Sequence, residues 1–306
     1  MKLDQNRIAL AAMVAASALI AMTSLIAKEL GLSGLHPFQV SAGRFGFALL
    51  VLVVFLRLRP GPGPGFRSDH WGLHIARSAM GWLGATSMFA AAARMPLAEA
   101  TAITMLSPLV TMALALLLLG ESASLRKGLA AALSVIGALV ILQPGTEAFH
   151  PAAFLALASA MFLGLEAIFI KRLTGVESPL RILLINNSIG AVISGLVASF
   201  FWVWPMSNQW ILMATLGSVM VCAQVFFLQA MQRGEASLVI PVFYAALVFA
   251  AIYDLLFYGV LPSAMTGLGA VLIVAGALLL STRSGGGRWR LGPGGPVRGN
   301  SKPPRS

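Results

Sequence analysis

Charge is scarce in this sequence. Of its 306 residues, 10% are Asp, Glu, Lys or Arg and 58% are hydrophobic, whereas a soluble domain is about 25% charged. So little polar surface excludes a water-soluble core of this size, and the mean hydropathy of +0.87 agrees. Cysteine is nearly absent too. Cys222 stands alone, which excludes an intramolecular disulfide, and its apolar surroundings read as those of a packing residue. The marks of common catalysts are also missing. The stretch RPGPGPGF lacks the Gly-Lys-Ser/Thr ending of a phosphate loop. There is no nucleophile elbow and no thiol–imidazole pair. ATP hydrolysis is excluded on that basis, and neither an enzyme nor a cofactor is expected. His70 and His74 have i,i+4 spacing, but with no third ligand nearby no metal site is expected.

What is present is a succession of apolar runs, each of about the 20 residues that span a bilayer as a helix. Ten can be drawn, at about 8–30, 38–57, 71–92, 96–119, 126–143, 151–173, 180–203, 210–231, 236–258 and 262–281. The first run continues to Ile26, longer than a signal-peptide core, and reads as an uncleaved helix. The loop 58–70 reads as a linker. The tail 283–306, rich in Gly, Pro, Arg and Ser, reads as disordered. The expected fold class is an all-α integral membrane protein.

The net charge of +11 invites a nucleic-acid reading until the basic residues are located. Lys2, Arg7, Arg57, Arg59, Arg67, Arg126, Lys127, Lys171, Arg172, Arg181 and Arg233 all fall on one side of a ten-span chain. The basic tail joins them. Only Lys28 and Arg94 fall on the other side. Cytoplasmic loops carry the Lys/Arg excess, so both termini are expected in the cytoplasm, with the tail near anionic lipid. Membrane lipid is the expected partner of that charge, and no nucleic acid is expected.

The chain also repeats itself. GLAAALSVIGALVIL (128–142) aligns with GLGAVLIVAGALLLS (267–281) at a constant offset of 139 residues. SLIAKELG (24–31) resembles AIFIKRLTG (167–175), and RMPLAEAT (94–101) resembles RGEAS (233–237). Spans 1–5 therefore match spans 6–10. An odd number of spans per half makes the two halves enter the membrane in opposite directions. Such a 5+5 inverted-topology repeat is a hallmark of secondary transporters, whose sites lie near the midplane between repeats. The halves are 1–145 and 146–282.

Three stretches carry a family likeness: RMPLAEATAITMLSPLVTMALALLLLGES (94–122), GALVILQPG (137–145) and GEASLVIPVFYAAL (234–247). With them the chain resembles the drug/metabolite transporter superfamily in its ten-helix EamA-type branch, over about residues 5–282. The resemblance implies an inner-membrane carrier of a small organic solute working by alternating access. It points to amino acids, S-adenosylmethionine, riboflavin or related metabolites as solutes. One departure stands out. Gly120-Glu121 ends the fourth span, whereas the matching offset in the second half holds Gly259-Val260.

Ionisable groups inside spans are costly and usually face a cavity or a partner. Arg44 lies about six residues into its span, roughly 9 Å deep, and Arg77 is as deep from the opposite side. Snorkelling to the interface and a cavity wall both remain open for them. Arg77 shares a face with Gly81, Gly84 and Met88, which suits close helix contact. Asn187 recurs at the repeat position of Arg44. Glu166 lies too deep to snorkel, and two readings stand: a salt bridge to Arg44 or Arg77, or a carboxylate that couples protons or binds a solute amine. Asp254, beside Tyr253 and Tyr258, reads as an interfacial anchor.

Helix breaks complete the candidate site. Pro108 has no N–H and frees the carbonyl of Thr104, with Thr101, Ser107 and Thr111 around it. Pro241 repeats the device in the second half, followed by Tyr244. Unsatisfied backbone at that depth is tolerated only against protein or a water-lined cavity. A threonine face bonded to its own backbone is the alternative. Gln224, Gln229 and Asn186 are further cavity hydrogen-bonders, and Phe243 with Tyr244 either stack on a ring or pack the core. Arg94 with Glu99, and Arg233 with Glu235, could pair as gates at opposite faces. A monomer can bury one half against the other, and a homodimer is equally compatible.

Overall fold

The computed structural model describes residues 2–58, 65–118, 125–143, 150–173, 176–233 and 242–281. Every regular element among these is helical: α1 (Lys2–Leu32), α2 (Pro37–Leu58), α3 (Trp71–Ala92), α4 (Leu97–Thr104), α5 (Ser107–Leu118), α6 (Leu125–Leu142), α7 (Ala153–Leu173), α8 (Pro179–Ala198), α9 (Ser207–Arg233), α10 (Ala245–Tyr258) and α11 (Ala264–Ser281). A short 3-10 turn follows α8. Residues 59–64 of the 58–70 linker, the basic tail and Pro241 lie outside the described residues.

Among the described residues, six segments are long and apolar enough to cross a membrane: Arg7–Leu32, Pro37–Leu58, Leu97–Leu114, Ala153–Ile170, Pro179–Phe201 and Ser207–Phe227. Shorter apolar helices cover Gly128–Leu142, Ala245–Tyr258 and Ala264–Gly276. The helix α3 falls outside both sets because His74, Arg77 and its hydroxyl residues dilute its hydropathy. Local chemistry marks the ends. Pro179 opens α8, where the missing N–H costs nothing. Gly259 closes α10 at φ 65°, a left-handed turn that glycine adopts without strain.

The helices pair across the chain midpoint. The helix α1 packs on α9 and α10, α2 on α8 and α9, and α3 on α7 and α8; α4 and α5 pack on α7, α4 also on α10, and α6 on α11. Small residues permit the close approaches. A Cβ on Gly137 would meet the carbonyl of Gly269 and the backbone of Ile273, and one on Gly276 would meet the carbonyl of Ala130 and Ser134. Many large apolar side chains turn outward: Val192, Leu196, Leu256 and Phe257 are all exposed, as a lipid-facing surface requires. Cys222 is exposed as well. The packing role expected for it is thereby corrected, since its side of α9 faces away from the neighbouring helices.

Polar ties close each end of the bundle. At one end, Pro96 precedes α4 and offers no side-chain cap. Asp254 of α10 supplies it instead: its Oδ2 accepts the Ala98 N–H at 2.8 Å while its Oδ1 holds Lys28 Nζ of α1 at 2.8 Å. A carboxylate at a helix N-terminus satisfies an orphan donor and the dipole together. Asp254 is fully buried, so the interfacial anchor expected from sequence is corrected to a three-helix tie. Lys28 also lies over the Tyr258 ring at 4.1 Å. At the other end, Glu177 accepts Ser68 Oγ at 2.6 Å and Arg181 NH1 at 2.7 Å, and faces His74 at 3.9 Å. Those hydrogen bonds, Ser68 foremost, hold the Glu177 carboxyl below the usual carboxylate range.

Removing one partner of a buried ion pair typically costs about 3–5 kcal/mol. Asp254→Ala should therefore lower the thermal midpoint in detergent by on the order of 10 °C. The double change Lys28→Met with Asp254→Leu should lower it less than either single loss. Glu177 stabilises the fold above its unfolded-state pKa, and the gain vanishes as pH falls through its depressed folded value. Glu177→Gln should thus melt several degrees below wild type at pH 7, and the gap should begin to narrow near the ordinary carboxylate pKa of about 4 and close as pH falls through the lower folded value.

Candidate functional site

One internal cavity of about 220 Å³ lies among the inner helices. The helices α1, α2, α3, α7, α8 and α9 contribute walls, as do the α4–α5 junction and the segment leading into α10. The paired helices α6 and α11 stand apart from it. The fourth apolar run is interrupted where the cavity touches it: α4 ends at Thr104, Met105 and Leu106 turn, and α5 begins at Ser107. Thr101, Thr104, Met105 and Ser107 from both sides of that break line the cavity. Pro108 sits just past the turn and leaves the Thr104 carbonyl without its usual partner.

Charge enters the cavity from three helices. Glu166 of α7 lies against Gly81 of α3, where a Cβ would come within 2.6 Å of its Oε1. The absent side chain is what allows the carboxylate this position. Arg77 of the same α3 face reaches it at 3.4 Å. Of the two salt bridges left open by the sequence, this one forms. Arg44 of α2 lines the cavity within electrostatic reach of Glu166, but no ion pair joins them. Its guanidinium lies over the Phe45 ring at 3.9 Å.

Several cavity groups lack partners. Among the described residues, Arg44 Nε, Thr101 Oγ1, Asn186 Oδ1 and Gln224 Oε1 are buried with no hydrogen bond. Buried polar atoms in proteins are normally paired, so such a cluster calls for an explanation. Other hydroxyls are satisfied internally. Thr104 Oγ1 bonds Met88 Sδ at 3.3 Å and Thr111 Oγ1 bonds the Ser107 carbonyl at 2.9 Å. Ser159 Oγ ties α7 to the Gly84 carbonyl at 2.8 Å.

The structure gathers most of the sequence-derived candidates and separates the rest. Arg44, Thr104, Ser107, Glu166 and Gln224 line the cavity, with Arg77 paired just behind. Asn187 does not: its Nδ2 donates to the Leu183 carbonyl at 2.8 Å, and its neighbour Asn186 takes the lining position. Pro108 and Tyr244 are absent from the lining; Tyr244 is buried in the apolar core while Phe243 faces the cavity. The expected Arg94–Glu99 pair is corrected as well. Arg94 NH1 bonds the Ala90 carbonyl at 2.8 Å, and Glu99 Oε1 accepts Thr266 Oγ1 at 3.1 Å. Arg233 is exposed, and Glu235 lies outside the described residues. His74 is buried against Glu177, not paired with His70.

Known proteins resemble this chain in both sequence and fold. It matches the EamA-like transporter family over residues 7–143 and again over 150–282. It is 28% identical to the S-adenosylmethionine uptake transporter of Rickettsia prowazekii, over 85% of this chain and 87% of that protein. It is 29% identical to the riboflavin transporter of Rhizobium johnstonii, over 68% of this chain and 69% of that one. The pseudopaline exporter of Pseudomonas aeruginosa is also 29% identical, over 68% and 74% of the two chains. A solved crystal structure superposes with a TM-score of 0.61 at 20% identity, covering 87% of this chain and 94% of that one; at that identity the likeness speaks for the fold alone.

The Gly81 contact makes a direct prediction. Gly81→Ala forces the Glu166 carboxylate away from Arg77 and should cut solute flux at least tenfold. Gly46→Ala, with open space at its Cβ, should leave flux within twofold. Flux assays in proteoliposomes on equal amounts of folded protein compare them.

Proposed function

The chain belongs to the EamA-like transporter family, and from that premise we propose how its helices and cavity move a solute. It is a multi-pass membrane protein and a metabolite transporter of the drug/metabolite transporter superfamily, not an enzyme. Our reading is a ten-span carrier of the inner membrane, built as an inverted 5+5 repeat of residues 1–145 and 146–282, with both termini in the cytoplasm. Spans 1–3 are α1–α3, span 4 is α4 with α5, span 5 is α6, spans 6–8 are α7–α9, span 9 ends in α10 and span 10 is α11.

The packing supports this reading. Exchanging the halves turns the span 1–8 contact into the span 6–3 contact and the span 2–8 contact into 7–3, and both members of each pair occur. Contacts 2–7, 4–9 and 5–10 map onto themselves, and they occur too. At the 139-residue offset Gly137 corresponds to Gly276, and its neighbours Gly269 and Ile273 correspond to Ala130 and Ser134. The two family matches fall one in each half.

The single observation that carries the mechanism is the cavity lined by Glu166 and Arg44, with Arg77 paired to Glu166 behind it. The halves rock about it and expose it to each side in turn. Closure at the α4 end runs through Lys28, Asp254 and the Ala98 N–H. Protonation of Glu166 would release Arg77 and couple the cycle to a proton gradient. The solute is a small organic metabolite. S-adenosylmethionine heads the panel because its carriers match this chain over the greater length; riboflavin and amino acids follow.

Purified protein in proteoliposomes should show saturable flux of at least one member of that panel, and Glu166→Gln should abolish its dependence on a pH gradient. Folded protein that moves no member would overturn the carrier cycle. Gradient dependence left intact in Glu166→Gln would remove the proton role alone.

A further inference from the structure

The ionisable groups around the cavity do not balance. Among the described residues they are Arg44, Arg77 and Glu166, two cations to one carboxylate. Arg77 is committed to Glu166. Arg44 is 4% exposed, lines the cavity and has no ion-pair or hydrogen-bond partner among the described residues. A charge so deep and unpaired is costly to hold. Beside it stand the unpartnered Asn186 Oδ1, Gln224 Oε1 and Thr101 Oγ1. One free guanidinium and three free oxygens are the inverse of a small zwitterion.

We infer that Arg44 receives the carboxylate of the solute and that Asn186 and Gln224 receive its N–H donors, so that the cavity takes the amino-acid end of a metabolite. The inference rests on the reading of this cavity as the transport site. A planar guanidinium presents two parallel donors to a carboxylate, and its charge is neutralised when the solute enters. Phosphate fits less well. A dianion would meet one free cation and, within electrostatic reach, the Glu166 carboxylate. A bare amine fits less well again, since Arg44 would stay unpaired and repel it. Phe45, Phe89, Phe243, Met88, Met105 and Met220 supply apolar wall for the remainder. At about 220 Å³ the space lies below the ~300–1,000 Å³ range of drug-sized pockets, which suits a solute end of methionine size.

Thermal stabilisation of the purified full-length protein tests this without any variant. The probes are S-adenosylmethionine, L-methionine and L-phenylalanine, each beside its methyl ester, with inorganic phosphate and riboflavin as carboxylate-free arms. At least one acid should stabilise the wild type at tenfold lower concentration than its ester, and phosphate should not compete with it. Arg44→Gln should erase the acid–ester difference, and Arg44→Lys should restore part of it. Equal stabilisation by acid and ester, no stabilisation by any acid, or an acid preference surviving in Arg44→Gln would each overturn the inference. Acid-selective binding without flux would keep this inference and remove the transport reading. Riboflavin flux without acid selectivity would do the reverse.

Discussion

A carboxylate held deep in the helix bundle near two guanidinium groups constrains everything around it. Arg77 offsets the cost of that depth by reaching Glu166 at 3.4 Å, since an unpaired charge in a membrane interior is costly to hold. That pairing requires α3 and α7 to lie close, which Gly81 and Gly84 permit against Glu166 and Leu163. Close contact of α3 with α7 in turn leaves α4 and α5 stacked on the other side of α7, where Gly164 admits the Ser107 carbonyl. The cavity is the space left between these contacts and the helices of the opposite half.

Small residues line many of the helix contacts, although large side chains such as Phe45 and Met213 are buried too. Ala, Gly and Ser fill the helix contacts, with Ala9, Ala16, Ala91, Ala156 and Ala250 all inaccessible. Bulky residues such as Leu196, Phe200 and Leu256 face outward. Without water to drive helices together, association in lipid depends on close van der Waals approach, and small residues deliver it. At the end holding Lys28, the cluster of Trp202, Trp204 and Trp210 is the kind of aromatic group found at membrane–water boundaries.

Much of this was legible in the residues themselves. Apolar run length identified the helices, Pro108 located the interruption, and the glycine face of α3 marked a close helix contact, while Arg44 and Arg77 stayed equal candidates to pair with Glu166. Rotation about a helix was not legible to one residue. A single step turns a side chain by about 100°, which is the difference between Asn187, bonded to its own helix, and Asn186 in the cavity. The same step separates Tyr244 from Phe243. Asp254 was misjudged because its role is to cap Ala98, 156 positions away, and no local pattern reports such a bond. A clue existed. Counted from the prolines at 108 and 241 instead of from the glycines, Glu121 and Asp254 fall at equal distances along their spans.

The α6–α11 seam has a consequence for genetics. The space beside Gly137 is bounded by Ile273 and the Gly269 carbonyl, from the other family match. A mutation that enlarges residue 137 leaves its immediate sequence neighbours indifferent. Its suppressors are to be sought 136 positions downstream, at Ile273, in a smaller side chain. Along this seam the room for a larger side chain at one residue is set by a residue of the other family match, so the two stretches answer to each other in size.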